Sequence, residues 1–301
     1  MGRLTAILLG SAAGGGFPQW NDLGPVGRLA WQGDQRVSSR SQAAIAVSAD
    51  PEHWLLVNAT PDLRSQIIAT PALHPKIAPR HSPISGVVLT GAEVDQIAGL
   101  LNLRERQPFG IWATQTVLGE IANNPIFDVL APAVVARHTV TLSSPFDGPG
   151  GLSIELFAVP GKVPLYQEAV TPDLQGADDI NAGVEIRAGS ARMIYIPGAA
   201  ALTEQVTQRI ARADVVLFDG TLFTDDEMIR TGAGTKTSRR MGHMPMSGAD
   251  GSLAALAGMT NRRIYTHINN TNAVLVEGSA ERMQVEAAGW EIAYDGMEIV
   301  L

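Results

Sequence analysis

The chain has 301 residues, of which 45% are hydrophobic and only 17% are charged, so it can bury a large core and is not disordered. A formal net charge of −8 and the lack of a long Lys/Arg run argue against a nucleic-acid-binding surface. The chain contains no cysteine, which excludes disulfides, thiolate metal sites and cysteine nucleophiles.

The first apolar segment, Leu4–Leu9, is predicted to be a buried strand that leads into a glycine turn. Its apolar run is about five residues long, which is shorter than the roughly 7–15 residues of a signal-peptide core. No stretch approaches the roughly 20 apolar residues of a transmembrane helix. We therefore expect a cytoplasmic protein without a membrane span.

Short segments rich in Val, Ile and Leu, bounded by Gly, Pro or Asn, recur along the first two thirds of the chain and predict further strands. In chain order these are Ala43–Val47, Trp54–Val57, Gly86–Thr90, Ile111–Ala113, Ile154–Val159, Val184–Ile186 and Met193–Ile196. After Gly86–Thr90 the apolar period changes to that of a helix, with Val94, Ile97 and Leu100 on one face.

The rest of the chain alternates helices and strands. The predicted elements are helix Leu202–Arg212, strand Val215–Phe218, a helix near Ser247–Gly258, strand Arg263–Thr266, helix Glu277–Ala288, and a final hairpin formed by Trp290–Ala293 and Met297–Val300. Two successive β-then-α halves with no linker between them predict one domain over residues 1–301, an α/β sandwich of two packed sheets flanked by helices. Three long loops are expected to be mobile and to lie at the rim that carries the site: Gly14–Asp34, Gly161–Asp179 and Thr231–Gly242.

Residues that can bind a metal fall at the ends of the predicted strands or in adjacent loops. Glu93 and Asp95 follow one strand, and Asp219 and His267 each end another; His243 lies in a Met-Gly-His-Met-Pro loop. Strand carboxyl ends in α/β folds face a common crevice, so these side chains are expected to converge. Two imidazoles with carboxylates suit Fe(II), Mn or Zn. Taken singly, a hydrogen-bonded core histidine or a helix-start carboxylate is the plainer alternative.

Six segments, in the same order along the chain, resemble the coenzyme PQQ synthesis protein B family: GSAAGGGFPQWN (Gly10–Asn21), VPGKVPLY (Val159–Tyr166), DGTLFTDDEMI (Asp219–Ile229), MGH (Met241–His243), HINNTN (His267–Asn272) and AAGWEIAYDGM (Ala287–Met297). The resemblance covers essentially the whole chain. It implies a metallo-β-lactamase-like αββα sandwich and a part in making pyrroloquinoline quinone (PQQ) from a Glu–Tyr pair cut from a precursor peptide.

The resemblance leaves two functions open. One is an Fe(II)- and O₂-dependent hydroxylation of the tyrosine ring, in which Asp95, His243 and His267 are the core ligands and catalytic residues, and Asp219 and Glu93 lie at or near the metal. The other is a non-catalytic carrier involved in transport of PQQ or its precursor towards the periplasm. Zinc is expected as a further occupant of the site in purified protein.

Three features distinguish this chain from related patterns. Asp22-Leu23-Gly24-Pro25 replaces a cysteine cluster that holds a structural zinc in family members, so no cysteine-bound zinc is expected. Gln96 stands where the family commonly has a histidine. Of the metal-binding motif found in the more distant hydrolases, this chain retains only Asp95 within Thr90–Gln96, and Lys162 stands where those enzymes have a further histidine. A metal-dependent hydrolase is therefore the weakest of the three functions considered.

The substrate implied by the resemblance is a small Glu–Tyr derivative, whose carboxylates are expected to meet basic groups. The candidate substrate-binding residues are Arg40, Lys162, Lys236, Arg239 and Arg240, together with Asn269 and Asn270 of the HINNTN segment. Solvation at the surface is the plainer alternative for the basic residues. No nucleic-acid partner is expected, and a homodimer remains open.

Overall fold

The computed structural model describes residues 2–167 and 179–301. Within those ranges the chain forms two seven-stranded sheets flanked by helices, which confirms the predicted αββα sandwich. The strands are β1 (Thr5–Gly10), β2 (Ala44–Asp50), β3 (His53–Val57), β4 (Ile84–Val88), β5 (Phe109–Ala113), β6 (Val135–Thr139), β7 (Phe146–Asp147), β8 (Ser153–Ala158), β9 (Ala182–Ala188), β10 (Ala191–Ile196), β11 (Val215–Asp219), β12 (Arg262–Thr266), β13 (Trp290–Ile292) and β14 (Glu298–Val300). The α-helices are α1 (Pro25–Trp31), α2 (Leu63–Ala69), α3 (Val94–Ile97), α4 (Gln115–Ala122), α5 (Glu204–Ala211), α6 (Glu227–Arg230), α7 (Ser252–Ala255) and α8 (Ala280–Ala287).

The two sheets have related topologies. The first sheet has the order β14-β1-β2-β3-β4-β5-β6 and the second the order β13-β12-β11-β10-β9-β8-β7. In the first sheet β3 to β6 run parallel, and in the second β10 to β13 run parallel. The carboxyl ends of these parallel strands are where polar side chains from separate parts of the chain can meet.

The alternation of side chains along the strands builds the layers. On β1, Leu8 belongs to the core between the sheets, whereas Ile7 and Leu9 belong to the core under the first sheet's helices. The core between the sheets also contains Leu156 and Leu217 of the second sheet. Because successive strand residues point to opposite faces, each sheet contributes to two cores at once.

The outer face of the second sheet is covered by helices whose ends are capped as the sequence allows. Ser279 accepts a hydrogen bond from Arg282 N at 3.1 Å and caps the start of α8. Thr203 does the same for α5 by accepting from Val206 N at 3.2 Å. Such caps satisfy amides that the helix itself leaves without partners.

Two sequence predictions of local structure are wrong. The last two strands do not form a hairpin, because β13 pairs with β12 in the second sheet and β14 pairs with β1 in the first. The helix predicted near Ser247–Gly258 is reduced to α7, a single turn over Ser252–Ala255. For the last two strands, partners distant in sequence, which local patterns do not report, decide the pairing.

The loop predicted over Gly14–Asp34 is partly helical and is held to the body of the protein by packing and main-chain bonds. Phe17 is buried and exchanges two main-chain hydrogen bonds with Arg40, of 2.8 and 2.7 Å. Trp31 at the end of α1 donates its indole N–H to Asp22 O at 2.8 Å. Of the loop predicted over Gly161–Asp179, residues 168–178 lie outside the described ranges. Across residues 2–167 and 179–301, every helix is too short or too polar to span a bilayer.

Candidate metal centre

The site begins with Asp219, the last residue of β11, whose side chain is completely buried. Its Oδ2 accepts a hydrogen bond from Ala199 N at 2.9 Å, and its Oδ1 accepts from Thr221 N at 3.0 Å. Burial alone would raise the pKa of Asp219, but the charge and hydrogen bond of His243 outweigh it, so the pKa lies below its ordinary value. The carboxylate is therefore fixed in position and held in its charged form.

Two histidines converge on this carboxylate. His243 Nδ1 lies 2.7 Å from Asp219 Oδ2, and the His243 and His267 rings stack with their centroids 5.3 Å apart. One ligand atom from each of Asp219, His243 and His267 can be chosen so that all lie within 4.8 Å of one another. This spacing suits a single divalent ion between them.

His267 is held in an unusual backbone conformation at the end of β12. Its φ is 56°, in the left-handed region that side chains other than glycine rarely adopt. Conformational strain of this kind persists only where the surrounding structure enforces it, and it is concentrated at functional sites. Here it turns the imidazole towards Thr221 Oγ1, which lies 2.8 Å from Nδ1.

Asp95 joins the cluster from the first sheet's side of the molecule. It lies in the first turn of α3, and its Oδ2 is 3.3 Å from His267 Nε2. Burial alone would raise the pKa of Asp95 and lower that of His267, but their mutual hydrogen bond and charge attraction reverse both shifts. The N-terminal glycine loop covers this pair, since a Cβ on Gly14 would lie only 3.5 Å from Asp95 Oδ2.

Glu93 has a different environment from Asp95. Its carboxylate accepts hydrogen bonds from Lys162 Nζ and from the backbone amide of Leu165, each at 3.1 Å. The Lys162 and Glu93 side chains are 14% and 30% exposed, so this ion pair is partly buried. Glu93 thus anchors the segment after Lys162 and lies outside the group of donors within 4.8 Å.

Both polar atoms of the Gln96 side chain form hydrogen bonds within its own loop. Its Oε1 accepts from the Glu93 backbone amide at 3.0 Å, forming a capping box at the start of α3. Its Nε2 donates to Thr90 Oγ1 at 3.2 Å. A Cβ on Gly91 would collide with Gln96 Oε1, so the glycine allows this close approach.

The predicted basic residues are spread over different environments. Arg40 is buried, with its guanidinium donating to Ala293 O and, at 3.2 Å, to Ser11 Oγ, and burial lowers its pKa to about 10. Arg239 forms an ion pair of 2.7 Å with Asp250. Arg40 therefore ties the first strand's end to the C-terminal segment, which is a structural environment that its isolated sequence position did not indicate.

Lys236 and Arg240 are half-buried in the loop before His243. The two asparagines after His267 are tied into the protein by hydrogen bonds. Asn269 Nδ2 donates to Thr271 Oγ1 at 2.7 Å, and Asn270 Nδ2 donates to Gln19 Oε1. Asn270 thereby joins the loop that carries His267 to the N-terminal loop that covers the site.

Sequence reasoning missed Thr221. Its hydroxyl lies 2.6 Å from Asp219 Oδ1, 3.0 Å from His243 Nδ1 and 2.8 Å from His267 Nδ1. The signal was its place in the Asp-Gly-Thr sequence that begins at the last residue of β11, where a hydroxyl two residues beyond a candidate ligand can reach back to it.

The rim of the site is apolar near Asp95. Val94 is 59% exposed and Leu165 is 64% exposed. Tyr166 donates from its hydroxyl to Ala92 O at 3.1 Å, which places the segment after Lys162 against the start of α3. Trp20, next to the residue that contacts Asn270, is 83% exposed. These side chains offer apolar surface beside a charged centre.

Comparison with protein-family models matches residues 53–268 to the beta-lactamase superfamily domain. Among solved structures, the Zn(2+)-bound PqqB from Methylobacterium extorquens superposes with a TM-score of 0.97 at 52% identity, covering 99% of this chain and 100% of that one. A diphosphatase from the PhnP family superposes with a TM-score of 0.70 at 17% identity, covering 99% of this chain and 97% of the other, which shows a shared fold alone.

Among curated sequences, the coenzyme PQQ synthesis protein B of Methylobacterium nodulans is 54% identical over 299 residues, covering 99% of this chain and 100% of its own length. The counterpart from Xanthomonas oryzae pv. oryzae is 49% identical over 300 residues, with the same coverage. With such identities over full length, the chain belongs to the coenzyme PQQ synthesis protein B family.

Proposed function

We propose that this protein acts in PQQ biosynthesis as an Fe(II)- and O₂-dependent hydroxylase of the tyrosine ring in the Glu–Tyr-derived precursor. The observation that carries the proposal is the convergence of Asp219, His243 and His267 within 4.8 Å, with Asp95 in contact with His267. The family membership supports the pathway, and the donor set supports the chemistry.

The residues fit a divalent transition metal. The donors are carboxylate oxygens and imidazole nitrogens, and the chain has no cysteine to supply a thiolate. Two histidines and a carboxylate with further positions open are typical of iron oxygenases, although such ligands also accept zinc. A bound Fe(II) would supply the one-electron chemistry that allows O₂ to react with an aromatic ring. The related PqqB structure is described as Zn(2+)-bound, and ligands of this type bind zinc as well as iron.

The chain's own residues have three tasks in this proposal. Asp219, buried and held by Ala199 N and Thr221 N, positions the His243 ring through its 2.7 Å contact with Nδ1. The exposed side chains of Val94 and Leu165 offer apolar contact to the substrate's ring beside Asp95. Lys162, held by Glu93, supplies positive charge near a substrate that carries carboxylates.

The reaction requires a reductant as well as O₂. One oxygen atom enters the ring in place of hydrogen, and the other is reduced to water with two electrons from an added reductant such as ascorbate. Protein purified without metal and loaded anaerobically with Fe(II) should consume O₂ when given Glu–Tyr dipeptide and ascorbate, and the peptide should gain the mass of one oxygen atom. Zn(II)-loaded protein is the matched control and should do neither.

The carrier function is the alternative outcome of the same experiment. Tight binding of the dipeptide or of PQQ by the iron-loaded protein, with no substrate-dependent O₂ uptake and no product, would contradict the hydroxylase and favour the carrier. The variant His267→Ala further distinguishes the hydroxylase from the carrier, because a hydroxylase should lose its activity in this variant.

A further inference from the structure

Thr221 has more polar neighbours at the metal centre than its single hydroxyl hydrogen can serve. The side chain is 4% exposed, so it has little access to water. Its Oγ1 lies 2.6 Å from Asp219 Oδ1, 3.0 Å from His243 Nδ1, 2.8 Å from His267 Nδ1 and 3.1 Å from His267 O. A hydroxyl donates one hydrogen and accepts through two lone pairs, so at most one of the four can receive its hydrogen.

The donors and acceptors around Thr221 determine where the hydroxyl and imidazole hydrogens lie. The Asp219 carboxylate and the His267 carbonyl can only accept, and the shorter contact is the 2.6 Å one to Asp219, so the hydroxyl hydrogen is assigned there. The lone pairs of Oγ1 then receive the Nδ1–H groups of both imidazoles. His267 Nδ1 makes its side-chain hydrogen bond to Thr221, whereas His243 Nδ1 is shared between Thr221 and Asp219 Oδ2 at 2.7 Å.

This assignment decides which nitrogen faces a metal. An imidazole that carries its hydrogen on Nδ1 has its free lone pair on Nε2 when neutral. In His267, Nε2 is the atom that faces Asp95 Oδ2, at 3.3 Å. Thr221 therefore lies on the Nδ1 side of the His267 ring, away from Asp95.

We propose that Thr221 is a positioning residue of the metal centre, whose hydroxyl donates to Asp219 and accepts from the Nδ1–H groups of His267 and His243, so that both rings present Nε2 to a divalent ion. The inference rests on the proposed metal centre but not on the proposed hydroxylation. Loss of a partner that orients a ligating histidine typically weakens metal binding about 10–100-fold.

The test compares Thr221→Val, which keeps the shape and removes the hydroxyl, with Thr221→Ser, which keeps the hydroxyl. Thr207→Val on α5 is the matched control, because among the described residues its hydroxyl bonds to Thr203 O alone, at 3.0 Å, at the start of the same helix. Zn(II) affinity is measured by competition with a chromophoric chelator, and ligand geometry by the visible absorption spectrum of the Co(II)-loaded protein.

We expect Thr221→Val to bind Zn(II) about 10–100-fold more weakly and to show an altered Co(II) spectrum. Thr221→Ser and Thr207→Val should resemble the wild type in both measurements. Equal affinity and an unchanged spectrum in Thr221→Val would overturn the inference, and a wild type without saturable Zn(II) binding would overturn the metal centre itself. If Thr221→Val does not fold, Thr221→Ala against Thr221→Ser makes the same comparison.

Discussion

Replacing Gln96 with alanine tests whether this side chain stabilises its own loop through hydrogen bonds or binds the metal. The substitution removes the hydrogen bond to the Glu93 amide at 3.0 Å and the one to Thr90 Oγ1 at 3.2 Å. Each such bond contributes about 0.5–1.5 kcal/mol, so the free energy of unfolding should fall by about 2 kcal/mol. For a chain of 301 residues the melting temperature should drop by about 3 °C.

The assay is thermal or urea unfolding of the metal-free protein and of the protein with excess Zn(II). Because both polar atoms of Gln96 are used inside the loop, the loss should be the same in the two conditions. Gln96→Glu keeps the acceptor for Glu93 N and should lose about half as much. Gln208→Ala removes an exposed side chain whose one hydrogen bond within residues 2–167 and 179–301 is to Glu204, and it should change stability by less than about 0.5 kcal/mol. A loss confined to the Zn(II)-loaded protein would place Gln96 among the ligands and refute the reasoning.

Three further outcomes follow from the site. Both His267→Gly and His267→Ala should abolish Zn(II) binding. In urea unfolding the glycine variant should be about 1 kcal/mol more stable than the alanine variant, because φ at this position is 56°. Equal stability of the two variants would contradict the strain argument. The pKa of His267 is raised because its contact with Asp95 outweighs burial, so in the metal-free protein the pair stabilises the fold fully below about pH 6.5 and less as the pH rises through the raised value. Since a metal must displace that proton, the rise in melting temperature caused by Zn(II) should grow with pH over the same interval, and a rise independent of pH would show that His267 is not a ligand. Finally, Glu93→Ala removes the charged acceptor of the Leu165 amide and should speed that amide's hydrogen exchange about tenfold, with the exchange of β11 amides as the unchanged reference.

The sequence predicted the fold because most strands carry their signal locally. The buried runs around β4, β11 and β12 are bounded by turn residues. β11 ends at Asp219, β12 ends one residue before His267, and the loop after β4 leads to Glu93 and Asp95. Asp219 and His267 converge because their strands are parallel neighbours, paired from Val215 with Arg262 to Asp219 with Thr266. A pattern of strand ends is therefore sufficient to find this part of the site.

Contacts between segments distant in sequence account for what could not be predicted. Asp295-Gly296 is a residue pair typical of a tight hairpin turn, but the strands on either side pair with β12 and β1. The turn residues do not determine which strands pair. Arg40 has the sequence context of a surface residue, yet it is buried against the carbonyl of Ala293. The proton arrangement at Thr221 likewise depends on two histidines 22 and 46 residues away along the chain.

The way the C-terminal segment divides between the sheets also affects how easily another chain could extend either sheet. The strands β13 and β14 close one edge of each sheet, and each is only three residues long. At the opposite edge of the second sheet β7 has two residues, and at that of the first sheet β6 carries exposed polar side chains such as His138. Short or polar edges leave few unpaired amides and carbonyls in register for another chain. Self-association of this protein is therefore expected through contacts between side chains and not through continuation of either sheet.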